Sequence, residues 1–302
     1  MSLKETALAL AKGHRLGVAL FFLLLPSFAV APARAELAID GEISPAALIT
    51  GSVRPAAIRH ELRIALTRQG TESIELAARL SEEGGIITLP VEWTIRRAGE
   101  TIFHDHVPVV DRVIEPGDYV VEAGYGTVRV AQSVTVLAGE SIGLTLILDV
   151  GGVRALALVK DSPPVQGVVA SYDIYDEDSG RLVTRSQEAG EVIRLKSGKY
   201  LVESRLSPGN TVARSDVVVK PGILSSLEIR HEAGIAAIDL ADGLAWTIRD
   251  LSSGWTASGE GRQAAVVLAP GIYEFEYGSA GQRSVVTFTI DAGEHRVLRQ
   301  SR

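Results

Sequence analysis

The 302-residue chain carries no cysteine and a formal charge of −7, with 30 basic against 37 acidic side chains. Disulfides, thiolate metal sites and lipid-modified cysteines are therefore excluded, and its folded parts must be held by apolar cores alone. The acidic balance argues against nucleic acid and anionic lipid surfaces as partners.

In chain order, the first feature is a charged stretch with Lys4, Lys12 and Arg15, then an apolar run Leu16–Leu25, a break at Pro26, and Ala33-Arg34-Ala35 before Glu36. A charged head, an apolar middle and an A-x-A site in this order predict a secretory signal peptide over residues 1–35. The ten-residue apolar run is short against the roughly 20 residues that a membrane span needs. Cleavage after Ala35 removes a net +3, leaving a mature chain of charge −10 with no stable membrane span. Sec-type export then implies a periplasmic or extracellular location. Glu36–Ser73 reads as a leader or a degenerate partial module. Within and just beyond it, Ala56–Arg68 and Ile74–Leu80 have helical propensity. The second of these stands where the repeat places an opening strand, and the repeat register overrules propensity there.

From residue 74 the chain repeats itself. Pro116-Gly117-Asp118-Tyr119, Ser197-Gly198-Lys199-Tyr200 and Pro270-Gly271-Ile272-Tyr273 are each followed by an alternating stretch: VVEAGYG, LVESRLS and EFEYGSA. A second marker, Ala138-Gly139-Glu140, Pro221-Gly222-Ile223 and Ala292-Gly293-Glu294, places its glycine 20, 22 and 20 residues after the tyrosine. A third, Trp93-Thr94-Ile95, Tyr172-Asp173-Ile174 and Trp246-Thr247-Ile248, stands 26, 28 and 27 residues before it. Three markers in register define modules at 74–150, 151–232 and 233–302. Short β-branched runs such as Val134-Thr135-Val136, Val217-Val218-Val219 and Val285–Ile290, bounded by turn residues, make each module all-β: a small antiparallel sandwich. The signature glycine is expected to take φ > 0 where the chain reverses. The tyrosine after it should bury its ring and hand its hydroxyl to a backbone partner at the sandwich end. The Trp93, Tyr172 and Trp246 set reads as core aromatics.

This order of alternation, P-G-x-Y, alternation and A-G-E resembles the small β-sandwich modules called carboxypeptidase-regulatory-like and PEGA domains, prealbumin-like or Ig-like in build. With Gly209-Asn210 and His231-Glu232-Ala233-Gly234, the ordering is also similar to exported alphaproteobacterial proteins that carry such repeats. The resemblance covers nearly the whole mature chain. It implies an envelope location and a non-enzymatic role, and it supplies no catalytic, cofactor or metal residues.

Residues that could carry chemistry are few. Gly139-Glu140-Ser141-Ile142-Gly143 matches the G-x-S-x-G nucleophile elbow, which requires a strand, a strained turn and a helix; here LTLILDV follows, a strand pattern. His104 and His106, at i and i+2, share one face of a strand and offer two metal ligands where structural zinc needs four. Asp173, Asp176, Glu177 and Asp178 before Ser179-Gly180 lack the ordered alternation of a calcium loop, and Asp250-Leu251-Ser252-Ser253-Gly254 holds the same place in the third module. Hairpin tips with solvated acids explain both. No P-loop, dinucleotide fingerprint or basic-aromatic stripe is present.

The expectation is thus a non-enzymatic exported protein that binds or scaffolds another envelope protein or a polysaccharide, with no cofactor. The alternatives are an enzyme accessory subunit or hydrolase with an inter-module site, and a passive spacer. Protein recovered from the cell envelope is expected to begin within a few residues of Glu36 by intact-mass measurement. A full-length chain in the inner-membrane fraction would instead mark residues 16–25 as a retained anchor.

Overall fold

The structure is a computed structural model that describes residues 60–186, 190–279 and 281–300. The expected cleavage site at Ala35 lies outside the described residues. Every regular element among those described is a strand, and the strands fall into three consecutive groups.

The first group runs β1 (Glu61–Leu66), β2 (Ser73–Arg79), β3 (Val91–Arg97), β4 (Glu100–Val107), β5 (Val110–Val113), β6 (Gly117–Tyr125), β7 (Val128–Val136) and β8 (Glu140–Ile147). The second runs β9 (Val150–Val159), β10 (Val169–Asp176), β11 (Leu182–Ser186), β12 (Val192–Lys196), β13 (Gly198–Ser207), β14 (Val212–Val219) and β15 (Leu224–His231). The third runs β16 (Gly234–Asp239), β17 (Ala245–Asp250), β18 (Thr256–Glu260), β19 (Gln263–Leu268), β20 (Gly271–Ser279), β21 (Gln282–Ile290) and β22 (His295–Arg299).

Each group makes a four-stranded sheet of two hairpins, ordered β4-β3-β6-β7, β11-β10-β13-β14 and β18-β17-β20-β21. Facing it is a smaller sheet in which the opening strand lies between two others: β5-β2-β8, β12-β9-β15 and β19-β16-β22. Neighbours run antiparallel except the opening and closing strands, β2 with β8, β9 with β15 and β16 with β22, which pair in parallel. β1 is added to the first group alone, on the outer edge of β8. Within Glu36–Ser73, read as a leader or a degenerate partial module, β1 thus pairs with a strand of the first sandwich, and the helical reading of Ala56–Arg68 gives way to a strand over Glu61–Leu66. Leu62, Ile64 and Leu66 recur with period two, which suits a strand.

The alternation that defines the strands also builds the core. In β6, Tyr119, Val121 and Ala123 are buried, as are Tyr200, Val202 and Ser204 in β13 and Tyr273, Phe275 and Tyr277 in β20. The upstream aromatics Trp93, Tyr172 and Trp246 are likewise buried. They pair across the sheet with Ala123, Ser204 and Tyr277, in each case the residue four positions after the signature tyrosine. The signature marks the corner where the chain leaves the small sheet for the large one, since β5 and β6, β12 and β13, and β19 and β20 lie in opposite sheets. Gly117 and Gly198 take φ of 156° and 155°, while Gly271 is absent from the positive-φ set, so left-handed backbone is not the shared requirement at this corner. At the A-G-E marker it is. Gly139, Gly222 and Gly293 have φ of 82°, 71° and 79°, in turns closed by Glu140 N to Leu137 O, Ile223 N to Lys220 O and Glu294 N to Asp291 O. That third turn position needs a residue free to enter the left-handed region.

The sandwiches are joined by two residues each, Leu148-Asp149 and Glu232-Ala233, and Leu148 and Ala233 are buried. At the second joint the small sheet of the third sandwich is apolar on both faces. Ile235 and Val267 pack with the second core, while Ala236, Ile238, Val266 and Leu268 pack with the third. Close by, buried His231 meets the Thr211 hydroxyl through Nδ1 and the Ser204 hydroxyl through Nε2, both at 3.0 Å. Burial lowers its pKa from 6.5 to about 4. The unfolded chain then takes up a proton near pH 6.5 that the folded chain refuses until about pH 4. Stability from this group is complete above pH 6.5 and declines as pH falls to about 4, by on the order of 3 kcal/mol. Urea midpoints measured across that range are expected to fall in the native chain and to flatten in His231→Gln. Equal slopes in both would assign the effect elsewhere.

A repeated charged face as candidate functional surface

Because inward positions are committed to packing, the residues available for recognition lie on the outer face of each large sheet. Three residues after each signature tyrosine stands a glutamate, Glu122, Glu203 or Glu276, at the same outward register. Each is held by arginine. Arg96 reaches Glu122 at 2.8 Å, Arg214 reaches Glu203 at 2.6 Å and Arg283 reaches Glu276 at 2.6 Å. The partners come from a neighbouring strand, as the pleat requires.

The second sandwich elaborates this pattern into a network. Arg205 bridges Glu203 and Asp173, the latter at 2.7 Å, and Arg185 adds a 2.9 Å contact to Asp173. Both carboxylates are nearly buried among the three guanidinium groups. In the first and third sandwiches the position of Arg205 is held by Gly124 and Gly278, directly across from Arg129 and Arg283. Without a side chain there, a cleft opens. In the first sandwich it is about 310 Å³, lined by Glu92, Tyr125, Arg129 and, from the second sandwich, Arg194. In the third it is about 290 Å³, lined by Trp246, Thr247, Glu276 and Arg283. Arg129 is paired to Glu92 at 2.7 Å, and the Arg194 guanidinium lies 4.7 Å from the Tyr125 ring centre.

The sequence-derived candidates are scattered over this framework. Ser141 is on β8, its hydroxyl 3.0 Å from that of Ser73, and the turn before it leads into a strand. His104 and His106 share the outer face of β4 with ring centres 5.7 Å apart, and His104 Nδ1 meets the Thr94 hydroxyl at 3.0 Å. No group of three or more metal-binding side chains occurs among the described residues. Asp176 accepts the Ser179 N–H and hydroxyl at 2.8 and 2.6 Å, which lower its pKa. Asp250 has burial working to raise its pKa, but the hydroxyls and N–H groups of Ser252 and Ser253 hold it at about 2. Both acids close hairpin turns.

Two groups escaped the sequence reading. The glutamates were visible in VVEAGYG, LVESRLS and EFEYGSA as an E in the same column, although their pairing with arginines from other strands was not. Asn210 proves to be a clasp between sandwiches. Its amide nitrogen donates to Asp250 at 3.1 Å and to the Tyr273 hydroxyl oxygen at 2.9 Å, and its carbonyl accepts the Ala269 N–H at 2.8 Å.

The fold defines a tandem all-β sandwich protein. No protein family's model matches the chain, and no curated protein matches it. Among solved structures, it is similar to the Bacillus anthracis TIE protein, with 17% identity over 76% of this chain and 50% of that one, at a TM-score of 0.25. It is similar to the pilus adhesin SpaC from Lactobacillus rhamnosus GG, with 10% identity over 78% and 41% of the two chains and a TM-score of 0.24. It is also similar to a streptococcal ancillary pilin, with 14% identity over 76% and 98% and a TM-score of 0.27. The chain spans half or less of the length of the first two.

Arg205→Ala leaves each of two poorly exposed carboxylates with a single arginine and is expected to cost about 1–3 kcal/mol, as for lost charged hydrogen bonds. Arg96→Ala acts on a half-exposed pair and should cost less than about 1 kcal/mol. Urea denaturation of the two variants measures the difference.

Proposed function

We propose that this chain is a non-enzymatic envelope protein, exported to the periplasm or cell exterior, whose large sheets bind another envelope protein or a polysaccharide. The observation that carries this reading is the recurrence of an outward, arginine-paired glutamate at one register on three sandwiches joined by two-residue links. Short, packed links hold neighbouring faces in fixed relation, so contacts on successive modules act together with an effective concentration that independent modules lack. The clefts beside Arg129 and Arg283 are open and mix charged with apolar lining, which suits an extended polymer or a partner's surface loop. Among the described residues, the Ser141 hydroxyl meets the Ser73 hydroxyl and the His104 ring meets the Thr94 hydroxyl and the edge of His106, contacts that fit a structural role for these side chains.

Binding of the full mature chain to envelope fractions and to isolated envelope polysaccharide, followed by co-sedimentation, tests this. The expected result is salt-sensitive binding that falls at least tenfold in the Arg129→Glu and Arg283→Glu double variant and is unchanged in Ser141→Ala. Binding lost in folded Ser141→Ala and retained in the double variant would overturn it.

A further inference from the structure

The added strand β1 has no counterpart in the second and third sandwiches, and it leaves an unusual row exposed. Leu62 and Ile64 pair with the buried residues Leu144 and Ile142, so their side chains lie on the core side of the sheet. Yet Leu62, Ile64 and Leu66 remain 54, 58 and 89% exposed. β8 packs near β7, the edge strand of the facing sheet, and β1 lies on the far side of β8. Among the described residues no strand pairs with the outer edge of β1. Nor is β1 loosely attached. Arg79 grips Glu61 at 2.7 Å, His60 Nδ1 accepts the Ile147 N–H at 3.2 Å, and Thr67 N donates to Gly139 O at 2.8 Å. An open edge on a firmly held strand is a template for another strand.

The equivalent edges of the other two sandwiches are built differently. β15 carries Glu228 and Arg230 on its outer face, as β1 carries Glu61 and Arg63, but its core-side Leu227 and Ile229 are covered, and β22 sets Arg296 beside buried Leu298 on its core side, a charge of the sort that discourages edge pairing. β1 has three large apolar side chains in one uncharged row, with Glu61 and Arg63 on the opposite face.

We propose that β1 pairs with β1 of a second copy of this chain, antiparallel about a two-fold axis through Ile64. A symmetric contact needs a self-complementary strand, and residues directly opposite in an antiparallel pair share a face. Centred on Ile64, Leu62 faces Leu66 of the second copy, Ile64 faces Ile64, and Arg63 faces Ala65. The two apolar rows become continuous and no like charges oppose each other. Centring on Arg63 instead places Arg63 against Arg63, which costs stability. The charge on Arg63 thus selects the register. The result joins two four-stranded sheets into one of eight. A contact of six residues a side falls below the roughly 1,200 Å² typical of stable complexes, so the dimer is a weak, concentration-dependent one. This dimer stands apart from the binding reading above and involves none of its arginines.

The absence of cysteine makes the test direct. Single Ile64→Cys and Arg63→Cys variants of the full mature chain are oxidised at matched concentrations and followed by non-reducing electrophoresis. Directly opposed residues in an antiparallel pair stand close enough for a disulfide. Ile64→Cys is expected to cross-link at least tenfold faster than Arg63→Cys. Sedimentation of the native chain should show a monomer–dimer equilibrium that Ile64→Lys abolishes while circular dichroism remains that of the native fold. A native chain that stays monomeric across the micromolar to millimolar range would overturn the proposal, as would equal cross-linking of the two cysteine variants. Because Ile64 is more than half exposed and no part of the buried core, either substitution of it leaves that core intact.

Discussion

Each sandwich depends on closing its corner with a buried tyrosine. Tyr119, Tyr200 and Tyr273 donate their hydroxyls to the carbonyls of Glu115, Lys196 and Ala269, four residues back, at 2.6, 2.8 and 2.6 Å. A ring that buries on the order of 200 Å² supplies apolar burial to a chain without disulfides, and the hydroxyl bonds a carbonyl at the place where the backbone leaves one sheet for the other. Burial raises the pKa of all three phenols, which keeps them as hydrogen-bond donors. The constraint extends upstream, because Trp93, Tyr172 and Trp246 must share the space with the residue four after each tyrosine. Ala123 faces Trp93, Ser204 faces Tyr172, and in the third module Gly259 on the other side of Trp246 compensates for Tyr277. Volume is exchanged across the sheet while the register is kept.

The same packing logic fixes the joints. Gly209 lies against the Val267 carbonyl so closely that a Cβ would collide with it, and Val267 N donates to Pro208 O at 2.9 Å while Asn210 N donates to Val267 O at 3.1 Å. The clasp by Asn210 then reaches the Tyr273 hydroxyl itself, so the corner of the third sandwich is locked to a loop of the second. Since Ile235 and Val267 complete the second core, removing residues 233–302 would uncover apolar surface in the second sandwich as well as delete the third. Loss of function after such a deletion would therefore speak as much to folding as to recognition.

The elements that were legible in the sequence are those with a single physical solution. Gly139, Gly222 and Gly293 were legible as a marker in register, and the left-handed turn expected of the signature glycine is found at them instead. A corner tyrosine wants a fixed distance to its turn, which the spacing records. What stayed hidden depends on more than one strand. The period-two row of Leu62, Ile64 and Leu66 was masked by the helix propensity of its alanine, leucine and arginine neighbours, and only pairing with β8 decides between the two. The apolar run Gly234-Ile235-Ala236-Ala237-Ile238 looks like an ordinary buried strand, and nothing local shows that its faces serve different cores. The outward glutamates were in plain view, but a charge on an alternating strand says only that one face is wet. Their partners, Arg96, Arg214 and Arg283, come from three different places in the repeat: the strand before the signature for the first and the strand after it for the other two.

That difference bears on what the repeat conserves internally. If the glutamates served only to keep the face soluble, no arginine would need to be brought to each, since water satisfies an exposed carboxylate at no cost. Arg96, Arg214 and Arg283 instead stand at non-equivalent positions of the repeat, and each lies within 2.8 Å of its glutamate. Pairing of exposed charges adds little stability, so the arrangement is better understood through what it presents: guanidinium groups fixed in orientation on a flat sheet. Where Arg205 stands in place of the glycine found at 124 and 278, the face is filled; where glycine remains, a paired guanidinium borders an open cleft, Arg129 held by Glu92 in the first sandwich and Arg283 held by Glu276 in the third. The three modules thus share a scaffold on the inside and differ in relief on the outside, which is the division of labour expected when packing is invariant and recognition is allowed to vary.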